Sequence, residues 1–343
     1  MKTRDQILDI LAGAPELRGA ELLKRLQISR QALNVHLKDL IASGRVVKEG
    51  VTKGVTYRIS TQKKRRPPVS RFSRKCPLEG LQEDRVFEEI ALLMNLEAQM
   101  AKNVADIVQY AFTEMLNNAI DHSRSATCKI DFAVDPYKCV FRIRDFGVGL
   151  FRSIAAQLHL ADERDALGEL LKGKTTTIPE KHTGEGIFFT SKAADIISFR
   201  SHAIQLSYDN SRRDVFVEEK RFLNGTDVSF SISRKSKRQL SAVFAEFAPE
   251  RHGYRFEKTR VLVKMFQRDY VSRSEARRML AGLDKFKEID LDFSGVVSLG
   301  QGFADEVFRV FGRAHPEIII RTLHLNPTIE PVIRHVVDDN MQA

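Results

Sequence analysis

The sequence lacks the features of a membrane-spanning or disulfide-rich protein. Its only cysteines are Cys76, Cys128 and Cys139, which show neither a Cys-x-x-Cys spacing nor a paired framework. We therefore expect structural thiols in a reducing compartment, the cytoplasm. No apolar run approaches 18 residues, and the N-terminus is polar within its first six positions. We expect neither a transmembrane span nor a signal peptide, and hence no membrane partner.

Excess positive charge is absent from most of the chain. Residues 76–343 hold 37 Lys/Arg against 39 Asp/Glu, whereas residues 1–75 hold 18 against 6 and carry a net charge of +12. This asymmetry predicts a polyanionic partner, duplex DNA, for residues 1–75 alone. A length of 343 residues with 43% hydrophobic residues predicts two or three domains with cores of their own.

The basic segment has a pattern of elements that predicts a small domain over residues 1–60. Its hydrophobic spacing indicates three helices followed by two strands with a glycine-flanked turn. The predicted helices cover 3–11, 19–26 and a third segment from a Ser29 cap to a stop at Gly44, and the strands cover 45–49 and 55–59. This order resembles the winged helix-turn-helix domain of bacterial repressors.

That resemblance implies which side chains meet DNA. The third helix would enter the major groove, where Arg, Gln and Asn make bidentate base contacts, and lysines on the wing would meet phosphates. The candidate DNA-binding residues are Ser29, Arg30, Gln31, Asn34, Lys38, Lys48 and Lys53. Winged helices also dock proteins, and this alternative stays open. Residues 61–80 are rich in basic residues and contain prolines, so they predict a basic linker without a packed core.

Glu114 and Asn118 lie four residues apart in a segment with helical hydrophobic periodicity. The spacing places the carboxylate and the amide on one helix face, a turn apart. A carboxylate can activate a water molecule, and an amide oxygen beside it can bind Mg²⁺, which prefers hard oxygen donors.

Two glycine-containing motifs follow this helix. Asp145 stands at the end of a predicted strand, just before Gly147 and Gly149, where a carboxylate can accept a hydrogen bond from an adenine amino group. Thr183, Gly184 and Gly186 precede a predicted helix over 187–197, and backbone N–H groups at such a helix start suit phosphates. No Gly-x-x-x-x-Gly-Lys-Ser/Thr motif occurs, so a Walker-type site is excluded.

With Thr226 in an Asn-Gly-Thr-Asp-Val run, these motifs resemble the GHKL-type ATPase family of gyrase, heat-shock chaperones, histidine kinases and MutL. Anti-sigma-factor kinases look most similar. The resemblance covers 81–240 and implies a two-layer α/β sandwich of the Bergerat type that binds ATP and Mg²⁺. It implies that Glu114 activates the attacking group, that Asn118 holds Mg²⁺, and that Asp145, supported by Thr226, reads adenine. Four lysines could neutralise phosphate, and the sequence does not choose among them: Lys172, Lys174, Lys181 and Lys192.

The last part of the chain alternates predicted strands and helices. Strands are predicted over 259–266, 288–293 and 317–323, and helices over 272–280, 303–312 and 329–337. Residues 292–305 resemble the strand-loop-helix of anti-sigma-factor antagonist (STAS) domains, which implies a small STAS-like α/β domain over 258–340 and a protein partner for it. Gln301 and Gly302 stand where antagonists carry a phosphorylatable Ser or Thr, so phosphorylation of this domain in cis is not expected.

We therefore predict a multidomain α/β protein with three candidate functions. The first is an ATP-binding, nucleotide-responsive transcriptional regulator that binds DNA. The second is an anti-sigma-like serine/threonine kinase acting on a partner protein. The third is a histidine kinase, which lacks support because no phosphoacceptor histidine lies on a separate dimerisation hairpin. ATP turnover and the formation of a homodimer stay open.

Overall fold

The chain divides into two compact units, Met1–Pro68 and Val69–Ala343. The structure, a computed structural model, describes residues 3–14, 16–42, 45–50, 55–60, 69–173, 185–265 and 272–341. Each unit has a hydrophobic core, and the fold of each is given separately below. None of the helices in these described ranges is long and apolar enough to cross a membrane.

The N-terminal unit consists of three helices and a small antiparallel sheet with strand order β1-β3-β2. The three predicted helices and both predicted strands are present, and a two-residue strand, β1, was not predicted. The elements are α1 (Thr3–Ala12), β1 (Leu17–Arg18), α2 (Gly19–Leu26), α3 (Arg30–Ala42), β2 (Val46–Glu49) and β3 (Thr56–Ile59). Leu33, Leu37 and Leu40 of α3 recur at helical spacing and are buried.

The second unit begins with a seven-stranded antiparallel sheet of order β4-β5-β6-β10-β7-β8-β9. Its strands are β4 (Ser70–Pro77), β5 (Thr127–Val134), β6 (Lys138–Asp145), β7 (Ile196–Ser201), β8 (Ile204–Asp209), β9 (Asp214–Glu219) and β10 (Thr226–Ser233). Its helices are α4 (Glu83–Met94), α5 (Leu96–Gln99), α6 (Lys102–His122), α7 (Leu150–Gln157), α8 (Glu163–Lys172) and α9 (Gly186–Ala193).

Helix α6 is the central helix against this sheet. Its apolar stripe is buried and includes Phe112, whose ring lies 5.5 Å from that of Phe141 on β6. Phe141 in turn stacks on Phe230 of β10 at 4.7 Å. This packing fixes the face of α6 that carries Glu114 and Asn118 next to the strand ends, which is where the predicted motifs converge.

Two segments differ from the sequence prediction. Ser70–Pro77, predicted to belong to a linker, is instead the edge strand β4, paired with β5 in register Ser70↔Val134 to Pro77↔Thr127. An edge strand needs only one buried side, so Phe72 and Cys76 suffice and basic residues can fill the other positions. The helix predicted over 187–197 ends at Ala193, because Asp195 already donates its N–H to the Ser231 carbonyl and the chain enters β7.

The C-terminal part of this unit contains the predicted alternation of strands and helices. Its parallel sheet has the order β11-β12-β13. The elements are α10 (Leu240–Phe247), β11 (Lys258–Leu262), α11 (Arg273–Leu280), β12 (Glu288–Asp292), α12 (Gln301–Ala304), a π-helical stretch Asp305–Phe311, α13 (Gly312–Ala314), β13 (Ile319–Leu323) and α14 (Glu330–Met341). A capping box starts α11: Ser272 Oγ accepts from Glu275 N–H, and the Glu275 carboxylate accepts from Ser272 N–H.

The C-terminal core includes residues from α9, which lies in sequence between β6 and β7 of the large sheet. Phe188 of α9 packs against Phe247 and Phe256, with ring centroids 4.9 and 4.4 Å apart. At the end of α8, the buried Lys172 ammonium donates to the Ala281 carbonyl at 2.8 Å. The two parts of this unit are therefore packed together through α8 and α9.

Candidate functional site

The main candidate site is a cavity of about 410 Å³ beside α6, at the end of the large sheet where Asp145 lies. Side chains or backbone from α6, β6, α7, α9, β10 and α10 line it. The sequence-predicted residues that line it are Glu114, Asn118, Asp145, Gly149, Gly186 and Thr226. The structure therefore brings together residues that are up to 112 positions apart in the chain.

Asp145 is the most constrained polar residue of the cavity. It is 4% exposed, and its Oδ1 accepts backbone N–H bonds from Gly147 at 2.9 Å and from Thr226 at 3.1 Å. Burial raises the pKa of Asp145 above its usual range, and these hydrogen bonds oppose that shift. The result is a partly desolvated carboxylate, held in one orientation in the cavity wall.

The turn before β10 contributes a residue that the sequence analysis missed. Gly225 has φ +77°, and a Cβ there would lie 2.4 Å from the Asp145 carbonyl oxygen and 2.6 Å from Oδ1. Only glycine permits this approach. Thr226 Oγ1 accepts from Leu150 N–H at 2.9 Å, which joins the start of α7 to β10. The Asn-Gly pair before Thr226 was the available signal.

Glu114 faces the N-terminus of α9. A Cβ on Gly186 would lie 1.9 Å from Glu114 Oε2, so a glycine is needed for the carboxylate to occupy its place. Tyr110 lies one turn earlier on α6 and also lines the cavity. Burial raises the pKa of Tyr110, and the nearby charges of Glu114 and Glu185 raise it further. These two carboxylates therefore give this end of the cavity a negative potential.

Asn118 carries an unsatisfied polar group into the cavity. Its Nδ2 is buried and has no hydrogen-bond partner among the residues that the structure describes. An orphaned buried amide costs about 1–3 kcal/mol, which a ligand could recover. The described residues include no group of three or more His, Cys, Asp or Glu side chains that could hold a metal. A Mg²⁺ ion here would rely on Asn118, water and the ligand's own oxygens, a set that Mg²⁺ commonly accepts.

Several predicted site residues lie elsewhere or outside the described ranges. Gly147 does not line the cavity but orients Asp145 through its N–H. Lys172 and Lys192 do not line it either: burial lowers the pKa of Lys192 to about 8, and its ammonium lies 5.0 Å from the centre of the Phe188 ring. The predicted residues outside the described ranges are Lys53, Lys174, Lys181, Thr183 and Gly184.

The cavity also has aromatic walls that the sequence analysis did not identify. Tyr110, Phe189 and Phe244 line it, and the Phe244 ring lies 5.3 Å from Tyr110 and 4.7 Å from Phe189. Tyr110 could have been found, because it precedes Glu114 by one turn on the same helix face. Phe244 could not have been found in this way, since it follows the segment that carries the nucleotide motifs.

A second cavity of about 520 Å³ adjoins the first and shares His122 and Ser153 with it. Its other polar lining includes Arg124 and Arg152 from the end of α6 and from α7. Arg124 has a left-handed φ of +55°, which is uncommon for a residue other than glycine. This groove places two arginines beside Asp121, whereas the first cavity has no Lys or Arg among the lining residues that the structure describes.

The N-terminal unit presents its predicted DNA-contacting residues to solvent. Exposed positions on and before α3 are Ser29, Arg30, Gln31, Asn34 and Lys38, and Lys48 on β2 is exposed as well. Ser29 Oγ accepts from Ala32 N–H at 3.1 Å, so this hydroxyl caps α3, as predicted.

Comparison with known families identifies two domains in the chain. Residues 85–206 match the histidine kinase-like ATPase domain, and residues 275–330 match a STAS-like domain of unknown function. A comparison with curated proteins gives no match. The chain therefore contains a GHKL-type ATPase domain, the class that binds a nucleotide, and a C-terminal STAS-like domain of the kind that suggests protein interaction.

Proposed function

We propose that this protein is an ATP-binding regulator in which the ATPase domain controls DNA binding by the N-terminal unit. The observation that carries the nucleotide part is the buried, oriented Asp145 carboxylate in the same cavity as Asn118, whose Nδ2 has no hydrogen-bond partner among the described residues. A cavity of about 410 Å³ with aromatic walls and few, fixed polar groups has the character of a small-molecule site.

The residues have separable roles in this proposal. Asp145 accepts a hydrogen bond from the adenine amino group, with Thr226 and Gly147 holding the carboxylate in place. Asn118 would hold Mg²⁺ through its amide oxygen, and the ion would neutralise charge on the phosphates. Glu114 orients or deprotonates the attacking group, because it is the α6 carboxylate at the start of α9.

The N-terminal unit supplies DNA binding in this proposal, as a winged helix. Its support is the order of three helices and a β-hairpin, together with exposed Arg30, Gln31 and Asn34 on α3. These side chains can make paired hydrogen bonds to base edges. The charge of +12 over residues 1–75 adds sequence-independent attraction to phosphates.

A second candidate is an anti-sigma-like kinase that phosphorylates a Ser or Thr of a partner. It is favoured by the combination of the two matched domains, and by an acidic group, Glu114, in the cavity. In this case the N-terminal unit would dock a protein. Phosphate transfer to a partner in the presence of ATP would support the kinase.

The decisive experiment is selection of bound sequences from random duplex DNA by the full chain, with and without ATP and Mg²⁺. We expect one enriched sequence family whose recovery depends on the nucleotide. The same selection with Arg30→Ala should relax the preference at one base position, by about 1–3 kcal/mol. Absence of any enrichment or DNA retention at low salt would refute the DNA-binding regulator and leave the kinase as the leading candidate.

A further inference from the structure

The outer face of the seven-stranded sheet carries a row of positive side chains. On β4, β5 and β6, Lys75, Lys129 and Arg144 are direct cross-strand neighbours in the order Lys75↔Lys129↔Arg144. Their sequence neighbours Cys76, Cys128 and Asp145 point to the helix-covered side and are buried. Adjacent strands are about 4.8 Å apart, so three cations lie within roughly 10 Å.

This row is only partly neutralised by the protein itself. Lys129 pairs with Asp131 at 3.1 Å, and its side chain stays 50% exposed. Lys75 and Arg144 instead lie over the Phe146 ring, at 5.6 and 5.1 Å from its centre. Arg144 Nε is buried without a hydrogen-bond partner in the described part of the chain. On its other side Arg144 faces Asp227 of β10, which also pairs with Arg142. Lys75 and Lys129 are like charges directly opposite each other, and such a pair destabilises a sheet unless an anion covers it.

Phe146 links the row of cations on the outer face to the proposed nucleotide cavity. It follows Asp145 directly, and its ring is 41% exposed on the opposite side from the cavity. Its N–H donates to Ser125 Oγ at 3.1 Å, which fixes the backbone of this turn. A ligand on the outer face would therefore contact the same short turn that holds the proposed adenine-binding carboxylate.

We propose that this face, defined by Lys75, Lys129, Arg144 and Phe146, binds the phosphate backbone of DNA. The inference rests on the proposed function and extends the DNA contact from the N-terminal unit to the ATPase domain. Three observations support this occupant: the incompletely neutralised row of cations, the exposed aromatic ring between two of them, and the position of β4 in the sequence. The strand starts two residues after the end of the N-terminal unit, and Arg71, Arg74 and Lys75 are the last basic residues of the +12 segment.

Chain continuity favours DNA over an acidic protein as the partner. DNA held by the N-terminal unit is tethered close in sequence to β4, and such tethering raises its effective concentration at a second site. Contacts to phosphate carry no base preference, so this face would add affinity and salt dependence without changing the preferred sequence.

The test uses the full-length chain with the double substitution Lys75→Gln and Lys129→Gln. The matched control is Lys235→Gln with Lys237→Gln, which removes the same charge from two exposed lysines after β10. DNA affinity is measured over a series of salt concentrations for wild type and both variants. We expect the log–log salt slope of the first variant to fall by about 2, because each phosphate contact contributes about 0.9, and its affinity at low salt to drop about tenfold.

The control should keep the wild-type slope, and both variants should keep the wild-type base preference. A wild-type slope in the Lys75/Lys129 variant would overturn this inference alone, provided that Arg30→Ala still weakens base selection. No DNA binding by the wild-type chain would overturn both this inference and the proposed function. Unchanged DNA binding together with weaker binding of a polyglutamate probe would also overturn it and identify an acidic protein as the partner of this face.

Discussion

Residues 3–60 and residues 240–341 differ in how their hydrophobic cores are built. The N-terminal core is formed entirely by side chains of that unit, such as Ile7, Leu22 and Leu37. The C-terminal core instead includes Phe188 and Phe189 of α9, whose first residue lines the nucleotide cavity. Sequence predicts a separate domain in both cases, and only the first has a core of its own.

Buried polar contacts also join the C-terminal residues to the ATPase domain. Lys172, at the end of α8, is 1% exposed and donates to the carbonyls of Arg278 and Ala281 at the end of α11. Its own carbonyl accepts from Thr259 Oγ1 of β11 at 2.6 Å. These buried bonds join the ATPase domain to the STAS-like domain. We therefore expect the STAS-like domain to help hold the residues of the proposed nucleotide site in position.

The largest effect should come from removing each flanking region in turn. Deletion of residues 1–68 should leave ATP affinity within about twofold of wild type, because the lining residues that the structure describes all belong to the second unit. Deletion of residues 258–343 should abolish ATP binding, since it removes most of the core to which Phe188 and Phe189 belong and leaves the buried Lys172 ammonium without the carbonyls of Arg278 and Ala281. Calorimetric titration with ATP and thermal unfolding measure both. Full ATP affinity without residues 258–343 would contradict the view that these residues share their core with the ATPase domain.

Glu114→Ala and Asn118→Ala should separate chemistry from metal binding. Glu114→Ala should retain ATP but lower any turnover by about 10²–10⁴-fold, the usual contribution of a general base. Asn118→Ala should weaken only the binding that depends on Mg²⁺. ATP hydrolysis and calorimetry with and without Mg²⁺ check this, and Asn117→Ala, which alters a neighbouring residue of the cavity wall, is the control. Equal turnover in wild type and Glu114→Ala would remove Glu114 from the mechanism.

Asp145→Asn should weaken ATP binding by about 1.5–3 kcal/mol, the value of a hydrogen bond to a charged group, or roughly 10- to 150-fold. Asn can keep an oxygen toward the N–H groups of Gly147 and Thr226, but its amide then faces the adenine amino group as a second donor. The nucleotide-free variant should be as stable as wild type or more so at pH 7. Burial raises the pKa of Asp145, so its stabilising contribution is present below the unfolded pKa and is lost as pH rises through the folded pKa.

For this reasoning to hold, ATP affinity must fall while the stability of the nucleotide-free protein does not. Thermal unfolding of the nucleotide-free protein and ATP titration measure the two on the same sample. A variant that loses ATP affinity only because it is less stable would show a lower melting temperature without nucleotide. Unchanged ATP affinity would remove Asp145 from adenine recognition.

The smallest predicted effect tests the contact between the domains directly. Thr259→Val removes the hydroxyl that satisfies the buried Lys172 carbonyl, which should cost about 1–3 kcal/mol of stability. ATP affinity should fall severalfold, although Thr259 does not line the cavity, and Thr259→Ser should restore both quantities. Loss of stability with unchanged affinity would mean that this contact holds the domains together without positioning the site.

Local spacing made part of the site predictable. Glu114 and Asn118 could be placed on one helix face because their hydrophobic neighbours follow a period of 3.6 residues. Asp145 could be placed at a strand end because glycines follow it directly. The predicted elements of the N-terminal unit and of the STAS-like domain were found for the same reason, since each forms a periodic run of its own.

Long-range partners were not predictable. Strand β4 was interpreted as linker because its burial depends on pairing with β5, some 50 residues later. Lys172 is one of the four lysines that the sequence left open as phosphate ligands, whereas its ammonium pairs with Glu169 and donates to a helix carbonyl about 110 residues away. Hydrogen-bond partners of this kind leave no periodic pattern in the sequence.

Helix α9 sets a limit on how this protein can change over evolutionary time. Its first turn contacts two regions at once, so a shift of this turn moves residues in both. Gly186 lies against Glu114, and Phe188, two residues later, lies in the C-terminal core. A substitution at Phe247 or Phe256 is therefore also a change to the nucleotide site. Variation in the STAS-like core has to be accompanied by compensating variation in the ATPase domain.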